Sequence, residues 1–507
     1  AVGSDSAVLA YKGPQTELKD ARQRFIMPGL NEGHAHLLSL GNTLMTLDLL
    51  DVSSWPDLLR QVKNIADSLP PGSWIEGRGW HQDKWKSDRL NTFNGYPYHH
   101  ELSAVTPDHP VILTHASGHA LLANQRAMDL AGITRESMSP AGGRIVRDAA
   151  GNLLGIFEEN AMDIIQQAYK SALDAMPDST KLEREAQKLE LACQKALDYG
   201  ITSLQDAGSS LEQIRWLHKM SEQGKIPIRL NVMLYEDIDK VFGKLDSLPI
   251  KSHDPERFRA ASVKAYMDGA LGSYGAWLFE DYHDNPGVKG QTLIPLESMD
   301  SLAASALNKG LQLCVHAIGD RANHEVLNIF KKRGVTPHNR WRIEHAQHVD
   351  PRDVSVFRDL GVIASMQAIH CTSDAPFVER RLGRERASSG AYVWRSMVSS
   401  DVHFANGTDA PVERINPFDC IYATVTRKRP ESDFEFYPDQ KLTRNEALLS
   451  YTLWNAYASF EDHMKGSISP GKLADFVILN QNLMKCRDED ILNTKAEEVY
   501  IGGKKIR

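Results

Sequence analysis

Through the middle of the chain an amphipathic helical stretch is followed repeatedly by a short apolar strand, and this alternation predicts a parallel sheet covered by helices. Residues 180–199 show the unit. Thr180 and Glu183 form a capping-box pattern, Leu182, Ala186, Leu189, Ala192 and Ala196 recur at helical spacing, and Gly200 stops the helix before the strand-like ITSLQDAG. Further strands are predicted over 229–235, 262–269, 311–320, 341–347, 361–367 and 403–411. Their spacing matches successive turns of an α/β fold, a (β/α)8 barrel of the TIM type. Asp206, Lys264, His316, His345, Gln367 and Asp409 fall in or near the C-terminal ends of these strands. In such barrels that end gathers side chains from many strands into one mouth and carries the active site.

Two regions break the alternation. Residues of about 70–165, including GSWIEGRGWHQDKW and the Gly-rich AGGRIVRDAAGNLLG, are too long for a barrel loop and are expected to form an inserted subdomain, with a lid as one use for it. The chain ends carry short alternating strands bounded by Gly, Pro and Asn, which predicts a small β-sandwich module built from 1–27 and 461–507 around a barrel over 28–460.

Composition narrows the class of protein. At 507 residues, 42% apolar and 24% charged, the chain has the make-up of an ordinary soluble globular protein. The net charge of −8 and the shortness of the basic clusters at 331–333, 427–429 and 504–507 argue against nucleic acid as a partner. Five widely separated cysteines suit buried free thiols better than a disulfide framework. No stretch is long and apolar enough to span a bilayer, and the first residues lack the plan of a secretory leader. The cytoplasm is the default expectation; because the chain does not begin with Met, a removed leader and a periplasmic or secreted location stay open.

The chemistry starts at PGLNEGHAH. On a strand, residues two apart share a face, so His34 and His36 can reach one metal ion, whereas a helix would splay them. His316 in CVHAIGD and His345 in RIEHAQ end apolar strands, and Asp409 in ANGTDAPV ends the last one. Together they form a nitrogen and oxygen ligand set for zinc or a similar divalent ion. Lys264, in SVKAYMDG, is costly inside an apolar strand unless it is chemically altered or paired, with Asp206 and Asp268 as the available carboxylates.

PGLNEGHAH, VKAYMDGALGS, VHAIGDRAN, RIEHAQHVDP, GTDAPVERINP and the late KGSISPGKLADFVIL occur in one order along nearly the whole chain. They resemble the amidohydrolase superfamily, specifically its family-3 branch of N-substituted formamide deformylase-like metal-dependent hydrolases. The resemblance implies a centre of one or two metal ions, with His34 and His36 from the first barrel strand, Lys264 from the fourth as an N6-carboxylysine bridge, His316 from the fifth, His345 from the sixth and Asp409 from the eighth. Zinc is the first choice of ion, ahead of iron or manganese. The Asp usual two residues before the first ligand histidine is Glu32 here, a change expected to affect how His34 is oriented.

The expected reaction is hydrolysis of an amide-type C–N bond, in an N-acyl, N-formyl or cyclic amide substrate, with Asp409 as the general base and acid. Trp80, His119, Tyr266, Asp268, Gln367 and His370 are expected to line the substrate pocket. A deaminase acting on an amidine-type ring carbon is the alternative within the superfamily, and Lys264 tips the balance away from it; a non-catalytic scaffold is the reading from another class. The partner expected is a small molecule, and assembly into a homo-oligomer stays open.

Overall fold

The computed structural model describes residues 2–507 other than 50–51, 83–84, 86–91, 94–95, 116–119, 141, 251, 431 and 433. Eight parallel strands lie side by side in chain order: β1 (Leu30–Ala35), β2 (Ile201–Ser209), β3 (Arg229–Leu234), β4 (Phe258–Tyr266), β5 (Gln312–Ala317), β6 (Arg342–His345), β7 (Ile363–Met366) and β8 (Phe404–Asn406). Every residue of β1, β3, β5, β6, β7 and β8 is buried, as expected of strands covered on both faces. The helix before β2 begins at Asp178, two residues ahead of the Thr180–Glu183 pair, and Gly200, at φ +80°, turns the chain into the strand.

Closure of the barrel is made by the loop after β8. The N–H of Asp409 donates to the carbonyl of His34 at 2.8 Å, and the N–H of His36 donates to the carbonyl of Ala410 at 2.7 Å. The regular strand therefore stops at Asn406, short of the predicted 411, because the residues beyond it must turn to reach β1.

The chain ends meet in a single four-stranded antiparallel sheet of Phe25–Pro28, Phe476–Leu479, Ala496–Ile501 and Lys504–Lys505, with no second sheet facing it among the described residues. Residues ahead of Phe25 contribute a short helix, Asp5–Leu9, instead of further strands. A buried fork from Arg229 to Asp475, at 2.6 and 2.8 Å, ties this sheet to the base of the barrel.

Residues 41–191 form a separate compact unit, wider than the stretch of about 70–165 that breaks the helix–strand alternation. Its six-stranded sheet starts with Leu47–Asp48, which pairs with Ile75–Trp80. The helix Trp55–Ala66 buries Trp55, Leu58 and Val62 in the same core as Ile75, Val111 and Leu113. The early strand and helix thus belong to this unit because they complete its core.

Among the described residues no helix is long and apolar enough to cross a membrane. The cysteines are all free; Cys193, Cys314, Cys371 and Cys420 are buried and Cys486 is half-buried.

Candidate metal centre

His34 ends the inward face of β1 and His36 follows two residues on, so both imidazoles turn toward Asp409. Their Nε2 atoms stand 3.5 and 3.2 Å from Asp409 Oδ1, and this oxygen has no aligned hydrogen bond to either. His345 ends β6 with its ring 4.9 Å from that of His34 and 4.4 Å from that of His316, which lies on β5. His345, at φ +75°, and Asp409, at φ +57°, both hold left-handed backbone, which costs a residue with a Cβ about 1–3 kcal/mol. Both side chains point into one space, a ligand atom of each lying within 4.8 Å of the other.

Whether this space suits a divalent ion is decided by what its atoms lack. His34 Nε2, both nitrogens of His316 and Lys264 Nζ are buried without a hydrogen-bond partner. One ligand atom from each of His34, His345 and Asp409 lies within 4.8 Å of the others. Donors held about 2.0–2.1 Å from a tetrahedral ion stand about 3.3–3.4 Å apart, close to the spacings around Asp409 Oδ1. Buried polar atoms cost free energy unless paired, and a cation would pair with His34 Nε2, one nitrogen of His316 and Asp409 Oδ1, though not with Lys264 as an ammonium. The residues fit a divalent metal.

The electrostatics agree. Burial, with Lys264 nearby, lowers the His34 imidazole to about 4 and His316 to about 3, and burial takes His345 well below the usual histidine range, so all three are neutral and free to ligate at pH 7. Burial would raise Asp409, but the approach of His36, His34 and His370 outweighs it and keeps the carboxylate ionised.

Lys264 pairs with neither expected carboxylate. Asp206 accepts the N–H of Leu37 and the hydroxyl of Ser209, at 2.8 and 2.5 Å, and Asp268 accepts the backbone N–H groups of Trp277, Ile318 and Gly319 at 2.8–2.9 Å. The ammonium instead lies 4.8 Å from the centre of the Tyr266 ring, and burial lowers its pKa. A neutral amine is the form that can react with carbon dioxide to give a carbamate.

The remaining expected residues fall in different places. Tyr266 packs on His316 at 5.0 Å, and Asp268 Oδ1 is 3.6 Å from His316 Nε2. His370 Nε2 stands 3.8 Å from Asp409 Oδ2, while its Nδ1 meets Gln347. Gln367 turns its carbonyl oxygen to His345 Nδ1 at 2.7 Å, so it is spent on that candidate ligand and not presented to an open pocket. Trp80 is fully buried in the core of the 41–191 unit, its indole N–H spent on the carbonyl of Leu113, which leaves no face for a ligand. His119 lies outside the described residues.

The amidohydrolase family model matches residues 17–506. The chain belongs to the amidohydrolase family. It is 32% identical over 518 residues to Protein LONG AFTER FAR-RED 3 of Arabidopsis thaliana, covering 100% of this chain and 86% of that one. It is 25% identical over 521 residues to the N-substituted formamide deformylase of Arthrobacter pascens, covering 99% and 92%. An uncharacterized metal-dependent hydrolase from Pyrococcus horikoshii OT3 superposes with a TM-score of 0.74 at 25% identity, covering 95% of this chain and 91% of that one. Membership in the family and this neighbour support a hydrolase that works with a divalent metal.

Two amidohydrolase residues of consequence escaped the sequence reading, Arg342 and Glu344. Both are fully buried on β6. Glu344 Oε2 lies 2.5 Å from His34 Nδ1, and Arg342 holds Glu344 through bonds of 2.6 and 2.9 Å. Burial would raise the Glu344 carboxyl, but Arg342 and His34 hold it well below the usual range. Glu32, by contrast, does not touch the His34 ring. Its Oε1 accepts the N–H groups of Thr408 and His34, at 2.6 and 3.3 Å, and burial pushes its carboxyl up to about 8. Glu32 thus ties β1 to the loop carrying Asp409, and the group that meets the His34 ring is Glu344. The signal available in the sequence was the pair of opposite charges, two apart, in the apolar strand RIEH.

Proposed function

We propose that this chain hydrolyses an amide-type carbon–nitrogen bond, in an N-acyl, N-formyl or cyclic amide substrate, at a divalent metal centre held by His34, His36, Lys264, His316, His345 and Asp409. Zinc suits this ligand set best. The observation that carries the reading is the meeting of the His34 and His36 imidazoles on one oxygen of Asp409, 3.5 and 3.2 Å away, without a hydrogen bond to satisfy it.

A divalent ion held by these residues would activate water for attack near neutral pH and polarise the scissile carbonyl. The protein's own part centres on Asp409. Ionised at pH 7, it takes a proton from the attacking water and returns it to the leaving nitrogen. Water adds to the carbonyl carbon, the C–N bond breaks, and an acid and an amine leave. His370 Nε2 stands 3.8 Å from Asp409 Oδ2, next to the proton-carrying carboxylate. His34, His316 and His345 stay neutral and would hold the ion.

Carboxylation of Lys264 would turn a buried amine without a hydrogen-bond partner into an anionic oxygen donor that could help hold the metal. The need to satisfy Lys264 Nζ favours amide hydrolysis over deamination, which in this superfamily does without a bridging lysine. Similarity to the A. pascens deformylase supports the same class of bond. The test is an activity screen of zinc-loaded protein over N-formyl amines, N-acyl amines, cyclic imides and ring amidines. Turnover of amide-type compounds is expected; ammonia release from amidines alone would replace this reading with a deaminase.

A further inference from the structure

A metal ligand must present a lone pair in a fixed direction, and a neutral imidazole has two nitrogens that can compete for the role. At His34 the competition is settled by a chain of buried groups drawn from four strands. The Glu344 carboxylate, which can only accept, lies 2.5 Å from Nδ1, so this nitrogen carries the proton and Nε2 keeps its lone pair toward Asp409. Glu344 cannot swing away. Arg342 grips both its oxygens at 2.6 and 2.9 Å and is itself fixed by Gln205, by the carbonyl of Gly33 at 2.9 Å and by Ser365 at 2.7 Å. His34, Arg342 and Glu344 are each fully buried, so water cannot replace any link.

We propose that Glu344, clamped by Arg342, is a positioning residue that fixes the tautomer and ring direction of His34 for a bound divalent ion. The inference rests on the metal-centre reading above. It differs from a merely structural ion pair, since a buried Arg–Glu pair can often be replaced by apolar residues without loss of stability. Only the acceptor at His34 Nδ1 is then missed.

Two paired variants separate these roles. Arg342→Met with Glu344→Gln removes both charges but leaves a carbonyl acceptor for His34. Arg342→Met with Glu344→Leu removes the acceptor as well. Zinc affinity is measured by competition with a chromophoric chelator, with thermal unfolding of the metal-free proteins as the control for folding. The Leu pair is expected to bind zinc roughly 10–100-fold more weakly than the Gln pair at similar unfolding midpoints. Equal affinities would overturn the proposal. A wild-type protein that binds no zinc would overturn the metal-centre reading itself. If the Leu pair does not fold, long-range proton–nitrogen NMR of histidine-labelled, zinc-loaded wild type decides the matter: His34 is expected to show a protonated Nδ1 and a metal-bound Nε2, and the reverse pattern overturns the proposal.

Discussion

The backbone N–H of Asp409 donates to the carbonyl of His34 at 2.8 Å, so the barrel closes through two residues whose side chains also face each other in the candidate metal centre. Position of the site and closure of the fold are one feature. A change that spoils the seam between β1 and the loop after β8 should disturb both together.

Gly407 sits in that seam. A Cβ there would lie 2.5 Å from Glu32 Oε1 and 2.6 Å from the backbone nitrogen of His34. Gly407→Ala should therefore push His34 and Asp409 apart, lowering turnover by about 100-fold and stability by about 1–3 kcal/mol. Steady-state kinetics and chemical unfolding check this, and wild-type values for both would contradict it.

Asp409→Asn keeps the shape of the side chain and removes its basicity. Turnover should fall by about 10²–10⁴-fold. Kinetics at pH 7, with the unfolding midpoint measured alongside, provide the check; a drop of less than about tenfold would leave Asp409 without its proton-transfer role.

Lys264 gives a prediction of opposite sign for stability. In metal-free protein its amine is fully buried and without a hydrogen-bond partner. Lys264→Met should then stabilise the metal-free protein by at least about 1 kcal/mol while lowering the number of ions bound. Chelator-treated wild type should also recover more activity from zinc with bicarbonate than from zinc alone. A destabilised Lys264→Met protein would contradict the first expectation, and recovery indifferent to bicarbonate would remove the carbamate.

Away from the site, Arg395 holds Glu446 by a fork of 2.9 and 2.6 Å, which with Thr443 brings the carboxyl down to about 2 from an ordinary 4.5. A depressed folded-state pKa means that the stabilisation is complete above pH 4.5 and is lost as the pH falls toward 2. Unfolding of wild type and Glu446→Gln, followed from pH 7 downward, should show a gap that narrows below pH 4.5. A gap independent of pH would show that the fork contributes nothing through its charge.

The barrel was legible, and the candidate ligands that converge at its mouth could be named, because both rest on local signals. Helix–strand alternation has a period that a sequence displays, and a histidine or lysine ending an apolar strand stands out against its neighbours. The links that hold those residues are not local. Arg342 and Glu344 draw their partners Gln205, Gly33, His34 and Ser365 from three other strands, and no spacing along the chain brings these together. Glu32, two residues from His34, seemed the natural group to orient it, yet its Oε1 accepts backbone N–H groups instead. Trp80 misled for a related reason: an aromatic residue in an insertion looks available to a ligand until the core it fills is seen. The terminal sheet has one layer instead of two because only Phe25–Pro28 of the N-terminal region pairs into it.

The central claim is that His34, His36, His316, His345, Lys264 and Asp409 hold a divalent ion that hydrolysis requires. It is tested most directly by metal analysis of wild type and of the His34→Ala, His36→Ala double variant, each produced with zinc supplied and then dialysed, beside an amidase assay. Wild type should carry one or two equivalents and be active, and the double variant should lose both metal and turnover. Full metal content and full activity in the double variant would contradict the account.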